Sequence, residues 1–441
     1  MMDVLSDNIR KLFLRFLLPS VGGAVAIAAY SLIDTIVIGQ GVGAIGTAAL
    51  AVFNPVFCLA QAIGLILGVG GSVLMTKGRG QERYGKANAY YTATIILTAT
   101  VSIIAWILML LFQKSVYIFF GADQSLLPYV SEYGKWIVAI FPLSVIIPVL
   151  SSFIRCDGNP KQVMVATLIG AVINIFGDWF LVFPMKMGMT GAAIATAFGS
   201  VVQAAILICY CFTQKCNLKF EMPFQIWRAF RKIIENGMGS GISQISIIVV
   251  SFITNNQIMK YANADSLAIY GMLSTIGSLL MGVYTGVGQA VQPIASANYG
   301  AEKKERYWQA YKVGMITAAT FGFVFLFLCE LLPMEITHIF MKTNANIEML
   351  APHIVRVYGA SFFPLATTIF VVMYLQCINK AAMASGISIL RGLILNSILL
   401  YLLPLVWQSN GIWWAIFAAE YIVGVFAFLY LVVLYKQSRR C

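Results

Sequence analysis

Charge is what this sequence has least of. Only 10% of its 441 residues are Asp, Glu, Lys or Arg, and 60% are hydrophobic; a soluble domain carries about 25% charged residues. With a mean hydropathy of +0.84, a soluble globular enzyme and a disordered chain are both excluded. Histidine is scarcer still. His338 and His353 are the two present, in or beside one loop, so no His-built metal or catalytic centre can be read. The eight cysteines are scattered, mostly inside apolar runs. Cys209, Cys211 and Cys216 straddle the end of one run without a histidine, which is neither a disulfide framework nor a zinc set. There is no P-loop and no HExxH. Gly41-Val-Gly-Ala-Ile-Gly46 fits GxGxxG but follows an apolar helix rather than a strand, so it reads as a loop. Nothing calls for a cofactor or for catalysis.

Long apolar runs are what is there. A helix needs ~20 predominantly apolar residues to cross a bilayer. Twelve stretches qualify: 12–39, 46–76, 89–113, 128–153, 160–184, 189–213, 231–260, 265–297, 308–332, 350–378, 383–407 and 411–435. The expected fold is an all-α polytopic membrane protein with twelve transmembrane helices. The short basic N-terminus runs straight into a stretch too long for a signal peptide, which predicts uncleaved insertion. With both termini inside, the loops on that side hold 22 Lys and Arg. The other side holds six: Lys114, Lys135, Lys186, Lys260, Lys342 and Arg356. That asymmetry predicts cytoplasmic termini in a cell's inner (plasma) membrane. The net charge of +12 then faces an anionic leaflet and is no sign of nucleic acid.

The chain also repeats itself. Gly64-Leu-Ile-Leu-Gly68-Val-Gly70 in span two returns half a chain later, in span eight, as Gly282-Val-Tyr-Thr-Gly286-Val-Gly288. At nearly the same interval Asn174 pairs with Asn396, and Gly188-Met-Thr-Gly-Ala192 with Gly411-Ile-Trp-Trp-Ala415. Two bases read as buried, Lys135 and Arg356, correspond in the same way. Six spans separate the copies, an even number, so the halves share one orientation. Two pseudo-symmetric six-helix lobes are expected, 1–213 and 231–441, about an axis along the membrane normal. The joining segment 214–230 places Phe224, Trp227 and Phe230 on one stripe beside basic residues. It predicts a short amphipathic helix on the inner surface. The basic turns 77–86 and 298–306 read as signals holding their side of the membrane. Pro19, Pro55, Pro142, Pro148, Pro293 and Pro364 lie inside spans and predict kinks.

Acids inside spans are the sharpest feature, because a charge at mid-bilayer costs ~2.5–3.5 kcal/mol on insertion scales. Asp34 interrupts span one in Tyr30-Ser-Leu-Ile-Asp34-Thr35. In span five, Asn174 and Asp178 share a helical face at i, i+4, and span six offers Thr196. Counted from the outer ends of their spans, Asp34, Asp178 and Thr196 lie about 8–10 Å below the outer apolar edge. Oxygen ligands at one depth suit a hard cation such as Na⁺, or a proton shared by two acids. Plain interhelical bonding accounts for the amide and hydroxyl, but does not require two acids. The second lobe departs from this pattern. Asn255, Asn256 and Gln257 stand near the position of Asp34, and Asn396 has Leu400 a turn on instead of an acid. Glu420 in span twelve is a candidate secondary protonation site or the partner of Arg391 in span eleven. Tyr30, Asn54, Gln61, Asn256, Met272, Tyr284 and Gln292 are candidate walls of a substrate cleft, since aromatic and Met surfaces adapt to varied ligands.

Pro19, Ser31-Leu-Ile-Asp34-Thr-Ile-Val-Ile-Gly39, Asn174-x3-Asp178 and Gly286-Val-Gly-Gln-Ala-Val-Gln-Pro293…Asn298-Tyr-Gly-Ala301 combine with the repeat into a pattern that resembles the MATE (multidrug and toxic compound extrusion) family, from residue 12 to 435. The resemblance implies a V-shaped transporter that works as a monomer in the lipid bilayer. It would export cationic, amphipathic small molecules in antiport with H⁺ or Na⁺ by alternating access, with no cofactor and no nucleic-acid partner. In the bacterial branch it looks like, the coupling site lies in the N-lobe and maps onto Asp34, Asn174, Asp178 and Thr196. Another branch uses acids in spans seven, eight and ten, which this sequence lacks. Two other readings stand beside it. One is a flippase for a lipid-linked saccharide, favoured by Lys135, Arg356 and Arg391; the other is a membrane-embedded enzyme, for which no constellation is visible.

Overall fold

The computed structural model describes residues 4–122, 124–223, 225–341 and 344–440. Phe224 and Lys342, used above, lie outside them. The chain is 88% helical, with no strand among the described residues. In hydrocarbon the backbone must bond itself, and a helix is how a single segment does so.

In the first half, α1 (Ile9–Gly41), α2 (Ala44–Gly80) and α3 (Tyr84–Phe119) are followed by the short α4 (Leu127–Ala139) and α5 (Phe141–Cys156). Then come α6 (Pro160–Val182) and α7 (Gly188–Cys211). The second half runs α8 (Ile226–Tyr261), α9 (Ala264–Gly300), α10 (Lys304–Leu331), α11 (Pro333–Phe340), α12 (Ala345–Ala360) and α13 (Phe362–Cys377). It closes with α14 (Ala381–Ile389), a π-helical turn over Leu390–Leu395, and α15 (Asn396–Arg440). Span four is thus two helices, α4 and α5, bent by 51°. Pro142 does not kink a continuous helix: it occupies the first turn of α5, where its missing N–H costs nothing. Span ten is also divided, with Ser361 between α12 and α13 at the joint that Ile140 occupies between α4 and α5. The last two spans read as one helical run of 58 residues, ~87 Å long if straight and nearly three hydrocarbon layers deep. Gln408, at φ 48° and ψ −129°, breaks it into two. Twelve transmembrane helices result.

The repeat is written in the backbone as well. Left-handed residues recur in pairs, Glu82 with Glu302, Gly158 with Asn379 and Lys186 with Gln408, all separated by nearly the same interval. Each pair marks the same joint in its half.

Two compact units form, one of residues 18–237 and the other of 238–440 with 4–17. In the first, α2 lies tight on α5. A Cβ on Gly64 would stand 2.8 Å from the Val145 carbonyl oxygen, and one on Gly68 2.9 Å from Val149 Cα. These glycines, four residues apart on one helical face, are a close helix contact. Residues 214–223 do not form the expected surface helix. The segment is an irregular strap, and Trp227 and Phe230 belong to the start of the long α8. The cause is a buried carboxylate that outcompetes helix formation. Asp157 accepts bonds from Arg79 (2.8 Å), from the Tyr210 hydroxyl (2.8 Å) and from the Asn217 backbone N–H (3.0 Å). Further on, the Glu221 N–H donates to Thr92 Oγ1 at 2.8 Å, and Asn88 donates to the Glu221 carboxylate at 2.9 Å.

In the second unit the turn after α9 does more than carry charge. Asn298 donates to the carbonyls of Val4 and Ile294 and accepts from Arg306 Nε at 2.9 Å. Arg306 in turn donates to the carbonyls of Val4, Ser6 and Asp7, and Lys303 to that of Leu5. The segment before α1 is laced to this turn, with Asn8 capping the helix. Lys135 and Arg356, read as buried bases, are exposed; Arg356 donates to the Glu330 carbonyl at 3.1 Å.

Candidate functional site

The N-lobe polar cluster is built by small residues that let two helices touch. Where α6 meets α7, a Cβ on Gly199 would stand 2.7 Å from the Gly170 carbonyl oxygen, and one on Gly177 2.9 Å from Ala195 Cβ. That closeness brings Asn174 Nδ2 to Thr196 Oγ1, donating at 3.1 Å. One turn along α6, Asp178 is fully buried and faces Asp34 of α1 at interaction distance. Tyr30 sits against both acids, and the Tyr133 hydroxyl reaches Thr196 from α4. Around them Phe53, Tyr117, Val37, Ile38, Val56 and Ile137 form an apolar wall, with Phe53 edge-on to Tyr133 at 5.4 Å.

All four residues picked from depth and spacing are therefore together. Tyr30, a candidate cleft wall by sequence, stands in this cluster. Tyr133 went unnoticed, because a tyrosine in an apolar run carries no signal until α4 folds back beside α7. One property stands out. Asp34 Oδ1, Asn174 Oδ1 and both oxygens of Asp178 are buried without a hydrogen-bond partner. Each unmet buried acceptor costs about 1–3 kcal/mol, more for a charged one. An all-oxygen set of two carboxylates, an amide and a hydroxyl fits a proton or a small hard cation, and offers none of the sulfur or imidazole donors that a soft metal takes.

The remaining candidates scatter. Asn54 and Asn256 are exposed and bond within their own helices: Asn54 accepts from Cys58 Sγ at 3.8 Å, and Asn256 donates to the Phe252 carbonyl at 3.0 Å. Gln61 is half-buried on α2. Met272, Tyr284 and Gln292 are buried within the second unit, on α9 where it packs with α13 and α10. Glu420 lies 3.5 Å from Arg391 Nε, both buried. They share a cavity of about 110 Å³ with Ser246, Ser274, Tyr270 and Tyr358. The π-turn that swings Arg391 there is held by Asn396 donating to the Arg391 carbonyl at 2.7 Å. In the strap, burial pushes the Cys216 thiol up to about 11, so it stays protonated at neutral pH. Among the described residues no three His, Cys, Asp or Glu side chains gather around one point.

The MatE family model matches the chain twice, over residues 19–180 and 240–402. The chain belongs to the MatE family. Its two matched stretches begin at residues 19 and 240, which sets them apart by the interval of the backbone repeat. Asp34, Asn174 and Asp178 fall within the first of them and Arg391 within the second. Among MatE relatives, multidrug export protein MepA of Staphylococcus haemolyticus (strain JCSC1435) is 24% identical over 98% of this chain and 95% of its own. MepA of Staphylococcus aureus (strain N315) is 23% identical over 96% and 94%. In fold, the chain superposes at a TM-score of 0.91 on an outward-facing multidrug resistance MATE family transporter, at 20% identity over 99% of this chain and 98% of the other. A MOP superfamily transporter from Pyrococcus furiosus gives 0.89 at 21% identity over the same shares. This MatE chain is a membrane transporter with the MATE fold.

Proposed function

We propose that the protein is a multidrug efflux antiporter, exporting amphipathic, cationic small molecules in exchange for H⁺ or Na⁺. The observation that carries this is the Asp34–Asp178 pair, in which Asp34 Oδ1 and both Asp178 oxygens are buried and meet no donor. Two carboxylates desolvated side by side repel unless a proton or cation joins them. Occupancy by the ion and retention of substrate are then mutually exclusive states of the protein. An ion arriving from outside neutralises the pair and changes how α1 packs. Substrate bound to the protein loses affinity and leaves outward. The MepA relatives, named multidrug export proteins, support multidrug export. The whole donor set lies in one chain, so we read the working unit as a monomer, in the plasma membrane with both termini cytoplasmic.

Reconstituted vesicles test the reading. Dye accumulation driven by an imposed pH or Na⁺ gradient supports antiport, and the gradient that works names the ion. Asp34→Asn and Asp178→Asn are each expected to lose exchange by at least tenfold while keeping the wild-type thermal midpoint. Full exchange by either variant rules this site out. Lipid scrambling without a gradient favours the flippase reading, which has lost Lys135 and Arg356 as buried charges.

A further inference from the structure

At the far end of the first unit from the coupling cluster, where α2 turns into α3, a pocket of about 470 Å³ opens between the start of α3, the strap and the first turns of α8. Three cations line it: Lys86 from α3, and Arg228 and Lys232 from α8. Lys77 lies near enough to feel both lysines. One carboxylate is present, Glu221, with an oxygen engaged by Asn88 at 2.9 Å. The lining therefore carries a net charge of +2, gathered by three separate pieces of chain. Like charges do not collect around a concavity without an electrostatic cost, and nothing in the helix packing requires them here, since all three side chains are exposed.

Met222 of the lining and the chain neighbours Phe220 and Trp227 are equally telling. Phe220, Met222 and Trp227 are 68%, 77% and 80% exposed. Trp227 stands just past the strap and abuts Phe230, and Phe220 rests on Tyr91 at 5.2 Å. Large apolar side chains standing free around a basic hollow are unfavourable in water. They suit the headgroup layer, where Trp and Phe sit among glycerol and acyl ends while Lys and Arg reach phosphate. The pocket stands at the starts of α3 and α8, the ends of two candidate spans.

We infer that this pocket is a binding site for the phosphate headgroup of an anionic phospholipid. Arg228 offers a planar fork to two phosphate oxygens, Lys86 and Lys232 act as point charges, and Phe220, Met222 and Trp227 pack on the glycerol and upper acyl chain. On the orientation read from the basic loops this is the inner leaflet. The assignment is independent of the ion-coupling reading, because no residue is shared. A bound lipid would pin the strap to the first turns of α8 and so fix the path of the chain as it leaves the first unit.

The test uses the full-length protein in nanodiscs of phosphatidylcholine alone or doped with phosphatidylglycerol, with retained lipid counted by native mass spectrometry. Wild type is expected to retain phosphatidylglycerol over phosphatidylcholine. Lys86→Gln/Arg228→Gln/Lys232→Gln is expected to lose affinity by on the order of a hundredfold, from about one juxtamembrane charge contact per residue. Lys161→Gln/Lys304→Gln/Lys380→Gln, which removes the same charge elsewhere, is expected to retain the lipid. Equal retention by wild type and the pocket triple variant overturns the proposal. So does displacement by inorganic phosphate at concentrations matching the lipid, which marks a soluble-anion site instead.

Discussion

Asp178 and Glu420 are both acids buried inside spans, and they differ in what stands beside them. Asp178 faces another acid, Asp34, and among the described residues no cation stands against it. Glu420 has Arg391 at 3.5 Å, so its charge is answered within the protein. From sequence both were protonation candidates, and the neighbour across the helix interface separates them. Breaking the pair on one side strands the other charge. Arg391→Met or Glu420→Leu alone is expected to destabilise by about 3–5 kcal/mol, and the double variant to recover most of it. Thermal unfolding in detergent for the cycle of four proteins checks this. Additive losses in the double variant mean that the two side chains do not answer each other.

Among elements, α2 shows how little side chain a membrane helix contact needs. Gly64 and Gly68 bring the backbones of α2 and α5 together, and no methyl fits without moving a carbonyl or a Cα. Gly64→Ala and Gly68→Ala are each expected to destabilise by about 1–3 kcal/mol through overpacking. Gly386, in α14, has open space where its Cβ would go. Gly386→Ala is expected to be neutral or to stabilise by up to about 1 kcal/mol, because alanine is the better helix former. Opposite signs in thermal midpoint distinguish contact from propensity. A lower midpoint for all three variants shows that glycine flexibility, not closeness, is what matters. The Gly-x3-Gly spacing was legible in sequence as a contact; its partner helix was not, because spacing names a face and not its neighbour.

Across the whole molecule, the proposed exchange has a ceiling set by the ion gradient and the membrane potential. One net charge moving inward per cycle through 100 mV supplies about 2.3 kcal/mol, a substrate gradient of roughly fiftyfold from the potential alone. With a potassium–valinomycin potential and no chemical ion gradient, vesicles are expected to stay at or below that ratio per net charge moved. A steeper limit shows that more than one charge moves per cycle. The twofold internal repeat bears on this, since only the first copy kept the paired acids. The halves share joints at Glu82 and Glu302 and at Lys186 and Gln408, yet their polar interiors have diverged.

The sequence by itself determined the membrane class, the twelve spans, the repeat and the four polar residues of the N-lobe cluster. Each of those is a property of one segment, its length, its period or the depth of a residue along it. Tertiary structure alone decided what lies between segments: that Asp34 meets Asp178, that Tyr133 joins them, and that Met272, Tyr284 and Gln292 turn inward. It also decided that 214–223 is a strap rather than a helix. Apolar helices are interchangeable to the eye of composition, because lipid accepts any of their faces. Which face meets protein is settled only when small residues, broken spans and buried charges find their partners.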